Sequence, residues 1–236
     1  KTRRYLQDKE NGKTPGFDMK LEAMIPVIKG ELPLKAHAHR ADDILTVLRV
    51  CKEFDVDVTL DHVTEGHLIV DKLVEAGKPV QVGPSFGSKS KFELKEKSFE
   101  TPGILAKAGL DVCIITDAPV IPLNYLPLCA GLAMREGMAE DAAWKAITIN
   151  PAKVAGIADR VGSLEVGKDA DIAVWDPSCK WTISAANQHQ NVDHTPYEGF
   201  EAAGRMKYVF VNGQLAVQDG EPTGIKAGRF VRTDCF

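Results

Sequence analysis

The sequence predicts an α/β fold built on a parallel sheet, followed by a small β-rich segment. Between Phe17 and Thr116, short apolar stretches alternate with amphipathic helical patterns, as in consecutive strand–helix units. Three of the apolar stretches end in side chains that bind metals: Leu32 to Ala36 runs into His37-Ala38-His39, Val56 to Leu60 into Asp61-His62, and Val112 to Thr116 into Asp117. After about Arg160 the spacing changes to short strands separated by Gly167-Lys168, Asn212-Gly213 and Asp219-Gly220.

Taken in order, Lys1 to Met19 is a polar stretch closing on Thr14-Pro15-Gly16, and no element is assigned to it. With no Met at its start, it reads as the interior of a larger protein. Phe17 to Lys29 places Leu21, Met24, Ile25 and Ile28 at helical spacing, with Gly30 to close the helix. A strand follows at Leu32 to Ala36, then a helix from Asp43 to Phe54 with Ile44, Val47, Leu48 and Cys51 on one face and Asp42 or Asp43 as its cap. The unit repeats as strand Val56 to Leu60, helix Thr64 to Ala76, strand Pro79 to Val82, a long loop from Gly83 to Thr101, helix Gly103 to Ala108 and strand Val112 to Thr116. Helices at Leu126 to Arg135 and Ala139 to Ile147 and a turn at Pro151 to Ala155 come next. Short strands are then expected at Ser163 to Val166, Ala173 to Trp175, Trp181 to Ile183, Met206 to Val211 and Gln214 to Val217, with Asn212-Gly213 as the strongest hairpin signal.

Composition narrows the chemistry. A formal net charge of -4 over 236 residues gives no electrostatic footprint for nucleic acid or an anionic membrane, which leaves small-molecule chemistry. No apolar run reaches the roughly 18 residues of a membrane span, and Lys1 to Glu10 is too charged for a signal peptide. Cys51, Cys113, Cys129, Cys179 and Cys235 show no paired spacing, so reduced thiols and a cytoplasmic protein are expected.

His37 and His62 are the candidate metal ligands at strand ends, and Asp117 the candidate carboxylate. His39 is expected to point away from His37, either touching substrate or, as the more ordinary reading, standing solvated in a loop. His67 either caps a helix start or touches substrate. The loop Gly83 to Lys97, with Ser85, Lys89, Lys91 and Lys95, is either a lid that brings Ser85 and Lys89 to substrate or a solvated charged loop. Asp42-Asp43 reads as helix capping, and His189 and His194 as surface residues. Gly83-Pro84-Ser85-Phe86-Gly87 lacks the Lys-Ser/Thr step of a phosphate loop.

Two segments carry a family resemblance. Asn150 to Gly156 (NPAKVAG) and Arg160 to Asp176 (RVGSLEVGKDADIAVWD) resemble the passage from barrel to β-sandwich in the metal-dependent amidohydrolase superfamily. The His37-Ala38-His39, Asp61-His62 and Thr116-Asp117-Ala118-Pro119 strand ends resemble the fifth, sixth and eighth barrel strands of its imidazolonepropionase and prolidase-like branch. Trp181 to Ala185 and Thr195 to Gly199 are similar instead to the ends of hydantoinases and dihydroorotases.

The resemblance implies that residues 1–160 form the second, C-terminal half of a TIM-like (β/α)8 hydrolase barrel and that residues 161–236 form a β-sandwich segment. It implies one or two divalent ions, zinc or else manganese or iron, held by His37, His62 and Asp117. Asp117 would also act as general base in hydrolysis of a cyclic or other non-peptide carbon–nitrogen bond. A deaminase, or a catalytically incomplete scaffold, is the alternative. The superfamily's first-strand His-x-His and fourth-strand bridge have no counterpart here, because His37-Ala38-His39 opens the fifth-strand unit. The implied partners are therefore a small-molecule substrate and an N-terminal half, on the same protein or on a second polypeptide. Homo-oligomerisation through an exposed sheet edge is a further expectation.

Overall fold

The computed structural model describes residues 1–169, 171–226 and 228 and divides the chain into two compact units, Lys1–Ser163 and Leu164–Phe236. The first unit begins with a helical hairpin of α1 (Thr2–Glu10) and α2 (Met19–Ile28). α2 starts where Asp18 accepts hydrogen bonds from the Lys20 and Leu21 amides and ends at Gly30, which has φ +73°. The sequence gives no hint of α1, whose support is tertiary: Tyr5 is buried and its hydroxyl lies 2.5 Å from Glu22 of α2, which Lys9 also reaches at 2.6 Å.

Four parallel strands follow in the order β1 (Leu34–Ala38), β2 (Val58–His62), β3 (Val80–Val82) and β4 (Val112–Ile114). The crossovers carry α3 (Ala41–Phe54), α4 (Val70–Ala76) and α5 (Glu100–Lys107). After β4 come α6 (Leu126–Arg135), α7 (Glu140–Ile147) and α8 (Ile149–Val154), the last a helix where a turn was expected. The expected helix from Thr64 is broken into a 3₁₀ turn at Gly66–Leu68 and α4.

The two faces of this sheet differ. Alternation along the strands gives Ala36, Ala38, Val58, Leu60, Val80, Val82 and Val112 to the face that packs with Ile44 and Cys51 of α3, Leu73 of α4 and Leu105 of α5. The opposite face carries Lys35, His37, Thr59, Asp61, Gln81 and Cys113, and the register sets His37, Asp61, Gln81 and Cys113 in one row across the strands. Lys35 Nζ lies 3.5 Å from Asp61 and 3.4 Å from Thr59 Oγ1, while Gln81 donates to Thr59 at 3.3 Å and to Asp61. In the same row, burial pushes the Cys113 thiol up to about 12. β1 and β2 lie two residues further along than expected, because alternation continues through these polar positions after apolar continuity has ended.

The second unit is one antiparallel sheet of β5 (Ile172–Thr182), β6 (Glu201–Val211), β7 (Gln214–Gln218) and β8 (Glu221–Pro222). Asn212 and Gly213 take φ of +48° and +72° at the β6–β7 hairpin. The two strands expected at 173–175 and 181–183 are one irregular strand, β5, with register shifts at Val174/Trp175 and Asp176/Lys180. Ser163 to Val166 forms no strand. Leu164 and Val166 are exposed, so the half-buried surface that favours a strand is missing there. A second sheet layer is not formed by the described residues, and Cys235 lies outside them.

Candidate metal centre

The carboxyl ends of β1 and β2 lie side by side, with His37 paired to Asp61 and Ala38 to His62. Residues two apart on an extended chain share a face, so His37 and His39 lie together rather than pointing apart. Their ring centroids are 4.8 Å apart. Nor is His39 a solvated loop residue: it is 6% exposed, with Nδ1 2.7 Å from Thr64 Oγ1.

His62 arrives by a different route. Strand alternation alone would group it with Leu60 on the helix-packed face, but the backbone turns left-handed there, with φ of +76° at His62 and +44° at Val63. Positive φ is costly for a β-branched residue such as Val63 and persists only where surrounding structure enforces it. The His62 ring lies 4.2 Å from that of His37 and 4.5 Å from that of His39. One ligand-capable atom from each of the three histidines lies within 4.8 Å of the others.

Hydrogen bonding selects the ring atoms. His62 Nδ1 sits 2.7 Å from the Gly83 carbonyl, which only accepts, so Nδ1 carries the proton and Nε2 keeps its lone pair. Gly83 returns a bond from its amide to the His62 carbonyl at 3.3 Å. Only glycine serves here, since φ is +140° and an added Cβ would meet the Ile115 carbonyl oxygen at 2.1 Å. His39 Nδ1 is likewise occupied by Thr64, leaving Nε2. Burial, then the neighbouring His62 ring, holds His39 down to about 4, so it is neutral at pH 7 as a ligand must be. Three imidazoles, two with Nδ1 engaged elsewhere, fit a zinc-type divalent ion.

The other candidates separate. Asp117 lies three residues beyond β4, which stops at Ile114 short of the expected Thr116, with φ +51°, exposed and not in the histidine group. His67 caps no helix; its Nδ1 is 3.0 Å from Thr101 Oγ1. Ser85 helps line a narrow cleft with His62, Thr64, Lys97 and Thr101 that is too tight to hold a water molecule. Lys89 donates to the Lys95 carbonyl at 2.7 Å and so braces its own loop. Asp42 lies inside the first turn of α3, bonded to Arg40 at 2.9 Å, and the cap of that helix is Glu65, which accepts from the Ala41 amide at 2.9 Å. His189 and His194 are exposed in the second unit.

Sequence reading missed Thr64, Glu65 and Gly83, and also Glu93, whose Oε1 lies 4.0 Å from His39 Nε2. The polar pair Thr64-Glu65, one residue past the strand-end His62, was the available signal for the first two.

Residues 34–216 match the model of the Amidohydrolase family. The D-hydantoinase of Streptomyces coelicolor is 41% identical over 76 residues, which are 32% of this chain and 16% of that protein. A dihydroorotase of Anaeromyxobacter sp. (strain K) is 32% identical over 94 residues, 40% of this chain and 21% of that protein. Among solved structures, an amidohydrolase from Thermotoga maritima MSB8 matches with a TM-score of 0.73 and 35% identity, covering 92% of this chain and 53% of that one. This chain thus spans about half the length of that structure, and its matched segments 16% and 21% of the two curated relatives.

Proposed function

Because the chain belongs to the amidohydrolase family, we propose that it carries part of a divalent-metal centre and takes part in hydrolysis of a cyclic or other non-peptide carbon–nitrogen bond. The observation that carries this reading is the convergence of His37, His39 and His62 with Nε2 of His39 and His62 left for a ligand. Zinc is the ion this donor set favours, with manganese or iron as substitutes. When bound, such an ion supplies Lewis acidity that polarises a carbonyl and makes water nucleophilic at neutral pH.

The chain's own residues do the rest. Gly83 and Thr64 fix the orientation of His62 and His39. Asp117, exposed in the segment after β4, takes a proton from the attacking water as the new carbon–oxygen bond forms, and gives it to the nitrogen as the carbon–nitrogen bond breaks. Substrate contacts by Ser85 and His67 are part of this reading; what supports them is that Ser85 borders the cleft beside His62 and that His67 bonds Thr101 of the same cleft. The names of the hydantoinase and dihydroorotase relatives point to a ring amide, and the strand ends point to the imidazolonepropionase-like branch.

β1 and β4 each pair with one strand only among the described residues. Further strand–helix units, from the same protein, a second polypeptide or another copy, are the natural complement of those edges. Cys51, Cys113, Cys129 and Cys179 are free, which supports a cytoplasmic location, and no helix among the described residues is long and apolar enough to cross a membrane.

The test is a turnover assay on the complete protein, this chain together with the further strand–helix units that complement β1 and β4, supplied with zinc and using hydantoin, dihydroorotate and imidazolonepropionate. Ring opening is expected, and Asp117→Asn should lower it by roughly 10²- to 10⁴-fold without moving the melting temperature. Undiminished turnover by Asp117→Asn would remove Asp117 from the chemistry. Ammonia release from an aminopurine, with no ring opening, would favour the deaminase reading.

A further inference from the structure

The loop between β3 and α5 is closed on itself before it meets the histidines. Lys97 Nζ, at its far end, donates to the Gly87 and Ser88 carbonyls at 2.9 Å each and so pins the two ends of the loop together. Inside this neck, Lys89 donates to the Lys95 carbonyl at 2.7 Å. The Leu94 and Lys95 amides bond back to the carbonyls of Lys91 and Phe92 at 3.0 and 3.1 Å, around the 3₁₀ turn Phe92–Leu94. The ion pairs Lys91–Glu93 and Lys95–Glu96, 3.6 Å each, also lie within the loop. A loop with joined ends and internal bonds is a compact unit that can move as one body. Residues 88–97 have that form.

This unit rests on the histidine group at two places. Glu93 Oε1 stands 4.0 Å from His39 Nε2, the ring atom that Thr64 leaves over, an approach without a hydrogen bond. Lys97 and Ser98 wall the cleft beside His62, which is too tight for a water molecule. The tip is held by one clasp to the strand end. The Arg40 guanidinium lies 5.5 Å from the Phe92 ring centroid, and Arg40 is itself fixed by two bonds of 2.9 Å to the Asp42 carboxylate. Phe92 is 68% exposed, so core packing does not hold its ring. At the neck, Gly87 has φ +93° and space around it, since an added Cβ would meet Ile121 only at 3.8 Å. A hinge there leaves Gly83, which orients His62, in place.

We infer that residues 88–97 are a hinged flap, shut in this structure over His39 and the cleft beside His62, and that the Phe92–Arg40 contact is the latch that sets how often it opens. The inference rests on the metal-centre reading above for what the flap admits, namely water and substrate. Its closure over His39 is tested without any metal.

The test is carbethoxylation of the metal-stripped complete protein with diethyl pyrocarbonate, the rate at each histidine being read by peptide mass spectrometry. His194, exposed in the second unit, gives the unhindered rate. His39 should react about tenfold more slowly or slower still, because the flap must first lift from Nε2. Phe92→Ala should raise the His39 rate about two- to fivefold, the worth of an exposed cation–π contact, and leave His194 unchanged. Phe92→Tyr, which keeps an aromatic face over Arg40, should react as the wild type does. A wild-type His39 as reactive as His194, or a His39 rate indifferent to Phe92→Ala, would overturn the inference. Zinc retention, measured separately, decides the metal-centre reading: if zinc is kept while the His39 rate ignores Phe92, the flap falls and the metal centre stands.

Discussion

At the scale of single residues, the proposed metal site depends on groups that orient its histidines. Thr64 is 6% exposed and its hydroxyl meets His39 Nδ1 at 2.7 Å. Thr64→Val keeps the branched shape and removes that hydroxyl, leaving a buried ring nitrogen unpaired at a cost of about 1–3 kcal/mol. Zinc affinity should fall by roughly 10- to 100-fold as the ring loses its fixed orientation. Urea unfolding and competition with a chelator read the two effects separately; an unchanged zinc affinity would show that His39 is oriented by packing alone. Gly83 illustrates the same dependence in the backbone. Its φ of +140° and its approach to the Ile115 carbonyl place the acceptor that sets the His62 tautomer.

At the scale of elements, β1 and β2 are coupled through the start of α3. The buried Glu65 carboxylate, just past β2, takes the amide of Ala41 at 2.9 Å, where the helix has no side-chain cap from its own N-cap residue, Arg40. Glu65→Ala should cost about 1 kcal/mol, the usual value of a lost cap, visible as a lower urea midpoint; no shift would mean that water replaces the carboxylate. This cap was not legible in the sequence, since it comes from 24 residues away. Local reading favoured Asp42 and Asp43 instead. What was legible is the alternation of strands and helices, with the histidines at strand ends and the Asn212-Gly213 hairpin. The strands came out two residues early at β1 and β2, because apolar continuity stops at Ala36 and Leu60 while the strands run on through His37 and Asp61 to Ala38 and His62. α1 was missed because Tyr5 and Lys9 find their partner on another helix, at Glu22. The place of His39 was misjudged, although strand periodicity puts it with His37.

At the scale of the whole molecule, the first unit presents a helix-packed apolar face and a polar face whose row His37, Asp61, Gln81 and Cys113 borders the site. Parallel sheets ordinarily read as continuous apolar runs because both faces are covered by packed side chains. Here the polar row sets Asp61, Gln81 and Cys113 in register with His37, one of the three histidines. The central claim is that two adjacent strand ends make a divalent-ion site, and zinc content tests it most directly. The purified chain should be equilibrated against micromolar zinc, freed of excess, and measured by mass spectrometry of the metal. Retention of at least one zinc per chain, lost in His62→Ala, is the predicted result. A wild-type chain that keeps no zinc, or a His62→Ala chain that keeps as much, would contradict it.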